Sequence, residues 1–574
     1  MGETTQVGGP EAGVRLQWGI QIPMRDGVLL NATLYTPAAQ TGASPVVFAV
    51  TPYISDSYHP IGLCFAAHGL PFVIVDVRGR GNSGGAFDPF VNDARDGFDV
   101  VEWLAVQPYC NGKVAMWGGS YSGHSQWVTA QELPPHLATI VPAAAPFIGV
   151  DFPMRNNIPY PYLLQWITST AGRTAQARIF ADMTFWSATF RRWYESGRAF
   201  RELDQVAGNP SALFQEWLDH PEPDSYWDAR NPTPAQYSRI TIPVMTITGS
   251  YDDDQPGALE HYRAHLRNCS AARHYLVIGP WDHAGTCAPK AAFGGLQLGP
   301  NSVIDIQKLH LEWYQWTMGA GPRPTFLTKA VVYYVMEADR WRSADTLEEI
   351  TARYDRYFLD SDHNATDVFC AGTLGTEPGG AQPDSYEYDP QAVGPEVDAE
   401  AQSIVDSIVD QRVTFALRGR QLIYHTAPFE ADTEVSGFFR LDAWISIDCP
   451  DTDIYAFVYE VTNDGRAVRL TTDAVRARYR QGLRTPNLIR DTTPLLYEFT
   501  RFTFVSRRVR RGHRLRLVIA PVGRLIDAHF WQKNYNGGGV VSAETAGESR
   551  LVTVRLFHDD ACPSALFVPI GVED

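Results

Sequence analysis

The stretch KVAMWGGSYSGHSQWVTAQ, residues Lys113 to Gln131, joins a short apolar run to a helix-compatible segment at one serine. The run KVAMW is typical of a buried strand in a parallel sheet. A sharp strand-to-helix turn crowds the backbone, so the neighbours of its central residue must be small. Ser120 has such neighbours, namely Gly118, Gly119, Ser122 and Gly123. The pattern predicts a nucleophile elbow that exposes the Ser120 hydroxyl, and the alternative is a glycine-rich turn with an idle serine.

A serine hydroxyl is a poor nucleophile without a base and an orienting acid. Chains with such an elbow place the acid and then the histidine after later strands. Here Asp252 directly follows the run VMTITGSY, and His283 directly follows YLVIGPWD, with one helical segment between them. Asp253 and Asp254 compete for the acid role, but Asp252 is nearest the strand end. We therefore predict a triad of Ser120, Asp252 and His283.

Nucleophilic attack also requires hydrogen-bond donors for the oxyanion, and the loss of one donor costs about 10²–10³ in rate. The residue after the nucleophile supplies a backbone N–H, here that of Tyr121. The second donor usually comes from a loop after an earlier strand, here TPYISDSYH after VVFAV. This loop has no H-G-G-G motif, and Pro52 has no N–H. The phenolic O–H of Tyr53 is the candidate, and the alternative is a packed rim tyrosine.

The pattern of elements divides the chain into regions. Over residues 1–146, and again over 240–321, apolar runs alternate with helical segments, which predicts βαβ units and a parallel sheet. Residues 147–239 have helical periodicity and many aromatic side chains, as a helical insertion has. Residues 322–574 contain alternating runs that predict antiparallel strands of a β-sandwich. The predicted fold is an α/β core with a helical insertion and a C-terminal β domain.

Three segments of the last region carry specific expectations. The run AVVYYVM, residues 330–336, is expected to be a half-buried antiparallel strand. The NDG sequence from Asn463 to Gly465 lies between two such runs and predicts a hairpin turn. The acidic segment 383–402 is expected to be an exposed excursion.

Composition and charge exclude several kinds of partner. The chain has 574 residues, of which 44% are hydrophobic and 20% charged, and its formal net charge is −17. Because nucleic-acid binders usually carry a basic face, we expect no nucleic-acid partner. No apolar stretch could span a bilayer and the N-terminus lacks a secretory signal, so we expect no membrane partner and a cytoplasmic protein. A homo-oligomer is left open.

The seven cysteines are scattered singly and form no C-x-x-C pair. This pattern in a chain without a signal predicts free thiols.

Two motifs resemble a cofactor-binding and a zinc-binding motif, but each lacks the neighbouring residues that such a site requires. GRGNSG, Gly79 to Gly84, fits G-x-G-x-x-G, yet the next residues include a proline and have no helical period. A glycine-rich turn is the alternative that we favour. His261 and His265 have the spacing of zinc ligands but lack the glutamate of H-E-x-x-H, so solvated helix histidines are expected. We predict no cofactor and no metal.

Taken together, the segments resemble the cocaine esterase and X-Pro dipeptidyl-peptidase family of serine hydrolases. GGSYSG is similar to its G-x-S-Y-x-G signature, and the likeness spans nearly the whole chain. Further similar blocks are VDVRGRGNSGGAF, DGFDVVEWLAVQPYCNGKVAMWGGSYSG, GSYD, GPWDH, DRWR and DTDIYAFVYEVTNDGRAVRLT. The resemblance implies an α/β-hydrolase core, an inserted helical cap and a C-terminal jelly-roll-like β-sandwich domain. It also implies the triad Ser120, Asp252 and His283, with Tyr53 and Tyr121 at the oxyanion.

The family is divided on substrate, and it includes esterases, α-amino acid ester hydrolases, acylases and dipeptidyl peptidases. The resemblance implies that its amino-acid enzymes hold a substrate ammonium with a carboxylate cluster, partly two and three residues after the triad aspartate. Those positions are Asp254 and Gln255 here, so one matches, and Asp151 is a candidate third member. We expect no strict requirement for an α-amino group and at most a modest preference for cationic or neutral acyl groups.

The sequence therefore predicts a serine hydrolase that cleaves a small-molecule ester or amide through an acyl-enzyme. Alternatives with the same chemistry are an acyltransferase, an X-Pro dipeptidyl peptidase and a β-lactam acylase. The alternative outside catalysis is a ligand-binding protein with a retired site. Aromatic residues of the insertion, including Trp166, Phe185 and Trp186, are candidates to line the acyl pocket, and the alternative for each is the core of the insertion.

Overall fold

The structure is a computed structural model that describes residues 13–362, 364–392, 408–522 and 532–572. Within this part of the chain, Ser120 follows a central strand of a ten-stranded sheet. In chain order the strands are β1 Val14–Pro23, β2 Leu29–Pro37, β3 Ser44–Thr51, β4 Phe72–Asp76, β5 Cys110–Gly119, β6 Leu137–Ala143, β7 Val244–Tyr251, β8 His274–Asp282, β9 Val331–Val335 and β10 Arg340–Ala344.

The order across this core sheet is β1-β2-β4-β3-β5-β6-β7-β8-β9-β10. From β4 to β9 every neighbouring pair is parallel, whereas β1, β2 and β10 pair in antiparallel fashion. The carboxyl ends of the parallel strands therefore meet at one edge of the sheet. Ser120, Asp252 and His283 follow β5, β7 and β8 at this edge.

Both faces of the parallel part of the core sheet are buried, which explains the continuous apolar runs of its strands. Alternate residues of β3 belong to different hydrophobic clusters. Val47 and Ala49 pack with Phe65 on one face, whereas Phe48 packs with Val100 on the other. The helices that flank the sheet are His59–Ala67, Asp93–Ala105, Tyr121–Gln131, Gln255–Asn268 and Ile306–Met318.

The core sheet continues beyond residue 321. The run AVVYYVM forms β9, which pairs in parallel with β8, and β10 then pairs with β9. The predicted antiparallel pairing is present only toward β10, whereas the interpretation of this run as a half-buried strand of the C-terminal region is wrong, because β9 is fully buried in the core sheet. A short apolar run has the same pattern in a parallel and an antiparallel sheet, so only the partner strand decides the pairing.

Residues 147–239, here called the cap, form short helices and one two-stranded hairpin at the edge of the core sheet that carries Ser120. The hairpin pairs Met154–Arg155 with Ile158–Pro159. The helices are Tyr162–Thr170, Ala177–Phe180, Met183–Ser196, Leu203–Val206, Ala212–Leu218, Ser225–Asp228 and Pro234–Tyr237. Many aromatic side chains of these helices are buried in one hydrophobic cluster, which explains why this segment is rich in aromatic residues.

The C-terminal β domain contains a 13-stranded sheet within the described residues, and all its strand pairs except one are antiparallel. NDG closes a hairpin between Asp453–Val461 and Ala467–Arg476, as predicted, and Gly465 has the positive φ that this turn needs. The other strands are Thr351–Asp360, Gly372–Gly375, Asp384–Tyr388, Leu422–Thr426, Thr433–Gly437, Arg440–Ile447, Leu495–Phe499, Val505–Val509, Arg514–Ala520, Val552–Phe557 and Ala565–Gly571. A short helix spans Arg412–Ala416. A jelly-roll order of these strands stays a prediction.

The acidic segment 383–402 is not an exposed excursion over its first residues. Asp384–Tyr388 forms a strand in which Tyr386 and Tyr388 are buried. Alternation of charged and aromatic residues is the pattern of a half-buried strand, and the high acidic content concealed it. Residues 393–402 lie outside the described residues.

The cap hairpin packs on the β domain. The amide of Asn156 donates to Asp473 and to the carbonyl of Ala474, both at 2.8 Å. Arg476 donates to the carbonyl of Asn157 at 2.9 Å. These hydrogen bonds hold the hairpin on the β domain, because separating the two would leave buried polar groups without a partner, which is costly.

His261 and His265 are fully buried, so the expectation of solvated helix histidines is wrong. His261 Nε2 contacts the carbonyl of Pro146 at 3.0 Å, and His265 Nε2 contacts that of Ile240 at 2.8 Å. The ring of Trp127 stacks on His261 at 5.1 Å. The helix presents its histidine face to the protein interior, where burial lowers the pKa of both imidazoles.

All seven cysteines are free thiols, as predicted. Within the described residues, no helix has the length and apolar character needed to cross a membrane.

A buried histidine should make the protein sensitive to acid. Burial lowers the pKa of His124 from 6.5 to about 4, so its contribution to the free energy of unfolding is complete above pH 6.5 and is lost as the pH falls toward 4. The contribution is at most about 3 kcal/mol. Urea unfolding of the wild type between pH 7 and pH 4.5 should show this loss, and His124→Gln should show a shallower one.

The matched control is His68→Gln at an exposed histidine, which should leave the slope of stability against pH unchanged. Equal slopes in the wild type and His124→Gln would contradict the expectation.

Candidate active site

Ser120 lies at the turn between β5 and the helix Tyr121–Gln131, with φ 58° and ψ −126°. A positive φ is unusual for a residue with a side chain and stores strain at functional turns. The Ser120 N–H donates to the carbonyl of Ala143 at the end of β6 at 3.0 Å. Its own carbonyl accepts the N–H of Gly123 at 2.8 Å. The turn predicted from the sequence is therefore present and is held on both sides.

The small neighbours of Ser120 are required by space. A Cβ on Gly118 would lie 2.5 Å from the Ser122 Cβ, and the φ of Gly118 is +140°. A Cβ on Gly123 would lie 2.6 Å from the carbonyl oxygen of Ala143. Both distances are far below van der Waals contact, so larger residues would displace the turn from β6.

Asp252 and His283 are hydrogen-bonded at the same edge. His283 Nδ1 lies 2.8 Å from Asp252 Oδ1, and the Asp252 side chain is fully buried. Asp252 also accepts the Thr248 hydroxyl at 2.8 Å and the Asp254 N–H at 3.1 Å. The carboxylate is thus fixed by three donors, and its bond to Nδ1 leaves His283 Nε2 for the cavity. Asp252 lies closer to His283 Nδ1 than Asp254 does, whose nearest carboxylate oxygen is 3.7 Å away.

The charges around His283 favour its protonated form. Burial lowers the pKa of His283, but the hydrogen bond and charge of Asp252 and the charges of Asp254 and Asp253 outweigh it, so the pKa is raised. Asp254 Oδ2 lies 3.7 Å from His283 Nδ1. Burial in turn raises the pKa of Asp254 to about 7.

Tyr121 is the first residue of its helix, and first-turn N–H groups have no carbonyl partner within a helix. The Tyr121 hydroxyl donates to buried Asp93 at 2.8 Å and accepts the Phe90 N–H at 3.2 Å. These bonds anchor the Tyr121 side chain. The helix start and the hydrogen bonds of the hydroxyl therefore together fix the Tyr121 amide beside Ser120.

Tyr53 lies on the loop after β3 and lines the same cavity as Ser120. Its hydroxyl accepts the indole N–H of Trp166 at 3.1 Å. Burial raises the pKa of Tyr53, and interactions with Trp166 and Ser120 partly oppose this. The phenol is therefore neutral and can act as a donor.

GRGNSG forms the turn that we favoured, since the next helix begins only at Asp93. Its arginine, Arg80, is fully buried. Arg80 Nε donates to the carbonyl of Pro52 at 2.8 Å, and Nη1 donates to that of Ala171 at 3.2 Å. The motif thus connects the loop that carries Tyr53 to the cap, a role that its sequence pattern did not indicate.

The cavity above Ser120 has a volume of about 280 Å³. Of the predicted site residues, Ser120, His283, Tyr53 and Tyr121 line it, and so do Trp166, Asp254 and Asp151. Residues that the sequence did not single out for it are Phe90, Pro146, Phe152, Arg155, Tyr160, Tyr162, Tyr251, Asp282 and Ala284. They come from six separate segments, so no local motif could have identified them. Asp253, predicted only as a competing acid, lines the cavity as well.

Phe185 and Trp186 do not line this cavity within the described residues. Trp186 is 1% exposed, and its indole N–H donates to the carbonyl of Ile179 at 2.7 Å. Phe185 packs against it with ring centroids 5.1 Å apart. Both belong to the core of the cap, which was the alternative for each.

Within the described part of the chain, no group of three or more histidine, cysteine, aspartate or glutamate side chains could hold a metal ion.

Comparison with known proteins identifies the class first. The fold is shared with a solved α-amino acid ester hydrolase at a TM-score of 0.82, with 20% identity and coverage of 97% of this chain and 96% of that one. An aminopeptidase of a marine sediment Thaumarchaeota archaeon has a TM-score of 0.83, 20% identity and 97% coverage of both chains. The architecture is thus an α/β-hydrolase core with a cap and a C-terminal β domain, as predicted.

Sequence comparison then identifies the family. The X-Pro dipeptidyl-peptidase (S15 family) model matches residues 26–285, and the model of the X-Pro dipeptidyl-peptidase C-terminal non-catalytic domain matches residues 326–521. Cocaine esterase of Rhodococcus sp. (strain MB1 Bresler) is 26% identical over 595 residues, with 96% of this chain and 98% of the esterase covered. The chain belongs to the X-Pro dipeptidyl-peptidase (S15) family of serine hydrolases, and it is an esterase-type hydrolase.

The carboxylate of Asp254 should control the pH dependence of activity. It raises the pKa of His283, and only neutral His283 can accept a proton. Asp254→Asn should therefore lower this pKa and move the acid limb of kcat/KM to lower pH by about one unit, which is about 1.4 kcal/mol. Activity against an aryl ester between pH 5 and pH 10 measures the shift.

Asp228→Asn is the control, because the Asp228 ion pair with Arg484 is exposed on the cap. Its pH profile should match that of the wild type. A limb that stays in place, or moves to higher pH, in Asp254→Asn would show that Asp254 does not act on His283.

Proposed function

We propose that the protein hydrolyses an ester or amide bond of a small molecule through an acyl-enzyme on Ser120. The observation that carries the proposal is the 2.8 Å contact of His283 Nδ1 with buried Asp252, at the strand edge where the strained Ser120 turn lies. The cavity offers space for an acyl group, with apolar and aromatic walls.

In the first half-reaction His283 Nε2 accepts the Ser120 proton as Oγ attacks the carbonyl carbon of the substrate. Asp252 holds the imidazole in the required tautomer and stabilises its charged form. The oxyanion accepts hydrogen bonds from the Tyr53 hydroxyl and the Tyr121 N–H. The protonated His283 then donates to the leaving alcohol or amine, and the Ser120 ester remains.

In the second half-reaction a water molecule donates its proton to His283 Nε2 and attacks the acyl carbon. The same two donors stabilise the second oxyanion. Collapse returns the proton to Ser120 Oγ and releases the acid. An acyltransferase would differ only in the acceptor, because an alcohol or amine would replace water.

Ser120→Ala should abolish turnover without loss of folding, since alanine also suits the crowded turn. Hydrolysis of an activated aryl ester measures turnover, and covalent labelling by a fluorophosphonate measures the reactivity of the serine. Thermal unfolding measures whether the variant is folded. Wild type should be labelled and Ser120→Ala should not. Retained turnover in the variant would overturn the assignment of Ser120.

A wild-type protein that is neither labelled nor active would favour the ligand-binding alternative with a retired site. Addition of candidate alcohols and amines to the assay separates hydrolysis from acyl transfer, because a transferase forms new esters or amides in place of the free acid.

For the acyl group, we propose no strict requirement for an α-amino group. Gln255 does not replace a cavity carboxylate, because its amide donates to the carbonyl of Gly249 at 2.9 Å and accepts the Phe504 N–H at 2.6 Å. Both Asp151 oxygens accept backbone N–H groups, those of Phe147 and Gly257.

The remaining attraction for an ammonium is weakened by burial. Because the pKa of Asp254 is raised to about 7, this carboxyl is only partly ionised at neutral pH. A full charge pair at 4 Å would supply about 4 kcal/mol at an effective dielectric constant near 20, before desolvation. A partly ionised, buried carboxyl supports only a modest preference for a cationic acyl group.

This expectation is tested with a phenylglycine ester and its desamino analogue. Their kcat/KM values should lie within about tenfold of each other, which is about 1.4 kcal/mol, in the wild type and in Asp254→Asn. Asp253→Asn is the matched comparison at the adjacent carboxylate. A large wild-type preference for the amine that vanishes in Asp254→Asn would contradict the proposal.

A further inference from the structure

Trp166 connects the cap to the oxyanion tyrosine by a direct hydrogen bond. It belongs to the cap helix Tyr162–Thr170 and is 4% exposed. Its indole Nε1–H donates to the Tyr53 hydroxyl oxygen at 3.1 Å. An indole N–H has no acceptor character, so the direction of this bond is determined.

The direction of the bond determines what Tyr53 can do. Because its oxygen accepts the Trp166 N–H, the Tyr53 proton must point elsewhere, and Tyr53 lines the same cavity as Ser120. The phenol is thereby oriented as a donor toward the reacting centre. A hydroxyl that accepts one hydrogen bond becomes a stronger donor, because the first bond polarises it. The Trp166 N–H therefore strengthens the hydrogen bond that Tyr53 donates to an oxyanion.

The indole of Trp166 is held rigidly in this position. Its ring is nearly parallel to those of Tyr121, Phe90 and Trp217, at interplanar angles of 16°, 15° and 22° and centroid distances of 6.2, 5.9 and 6.0 Å. A stacked ring cannot rotate away without disturbing three neighbours.

A second connection joins the same two segments. Arg80 donates to the carbonyl of Pro52, directly before Tyr53, and to that of Ala171, directly after the Trp166 helix. The Tyr53 loop and the cap helix are therefore attached to each other at both the side chain and the backbone.

We propose that Trp166 is a positioning residue for the oxyanion hole, which orients and polarises the Tyr53 hydroxyl from the cap. The inference rests on the proposed acyl-enzyme function of Ser120. Trp166 also lines the cavity, but the positioning role predicts a different kinetic effect from that of an acyl-pocket wall. A wall acts on substrate fit, whereas a positioned donor acts on the transition state.

The experiment is a double-mutant cycle with an activated aryl ester. Tyr53→Phe should lower kcat by roughly 10²–10³ with KM nearly unchanged. Trp166→Phe, which keeps an aromatic ring but removes the N–H, should lower kcat by about tenfold, also with little change in KM. In the Tyr53→Phe background, Trp166→Phe should have almost no further effect on kcat.

Trp217→Phe is the matched control. Trp217 is in the same stack and equally buried, but its Nε1 has no hydrogen-bond partner within the described residues. Its substitution should leave kcat within about twofold, because it removes no bond to the site. A loss in Trp217→Phe as large as that in Trp166→Phe would overturn the proposal in favour of general packing.

Replacement of Trp166 by benzothienylalanine, which has sulfur in place of the N–H and the same shape, keeps the test valid if phenylalanine disturbs folding. It should reproduce the kcat loss. Full activity of this variant, or an equal kcat loss from Trp166→Phe in the wild type and in Tyr53→Phe, would show that Trp166 does not act through Tyr53.

Failure of the proposed function is recognised separately. Fluorophosphonate labelling reports on Ser120 in each variant, and the Trp166→Phe protein should still be labelled, although more slowly. Absence of labelling in the wild type contradicts the acyl-enzyme itself. If the wild type is labelled and active but the effects of Trp166→Phe and Tyr53→Phe on kcat are additive, only the role of Trp166 is contradicted.

Discussion

The strained turn at Ser120 is the constraint on which the arrangement of the site depends. Its positive φ is maintained because the Ser120 N–H is bound to the carbonyl of Ala143 on the next strand. That bond requires close approach of β5, β6 and the following helix, and only residues without a Cβ fit at Gly118 and Gly123. The same turn begins the helix with Tyr121, whose amide has no partner in the helix.

Burial of charge is the second physical theme of the site. Three donors hold the Asp252 carboxylate in place, whereas burial raises the pKa of the neighbouring Asp254 to about 7. The charges of these carboxyls outweigh the effect of burial and raise the pKa of His283, so the surroundings of the imidazole favour its protonated form. The cap closes this environment from above, and its hairpin is anchored to the β domain through Asn156.

Local patterns in the sequence determined much of this architecture. Continuous apolar runs identified β3, β4, β5, β7 and β8, because both faces of the core sheet are buried. The crowded glycines identified the turn at Ser120. The order of Ser120, Asp252 and His283 after successive strands placed them at one edge, since parallel strands all end on the same side. These inferences hold because each feature is a property of a few consecutive residues.

Other features were decided only by tertiary structure, because they depend on which distant segments meet. The aromatic residues of the cap are alike in sequence, yet Trp166 reaches Tyr53 while Trp186 remains in the cap core. His261 looked solvated on an isolated helix and is buried against Trp127. The AVVYYVM run lies in the core sheet between β8 and β10. A side chain's neighbours across the fold, and with them its burial and charge, are not encoded in its own stretch of chain.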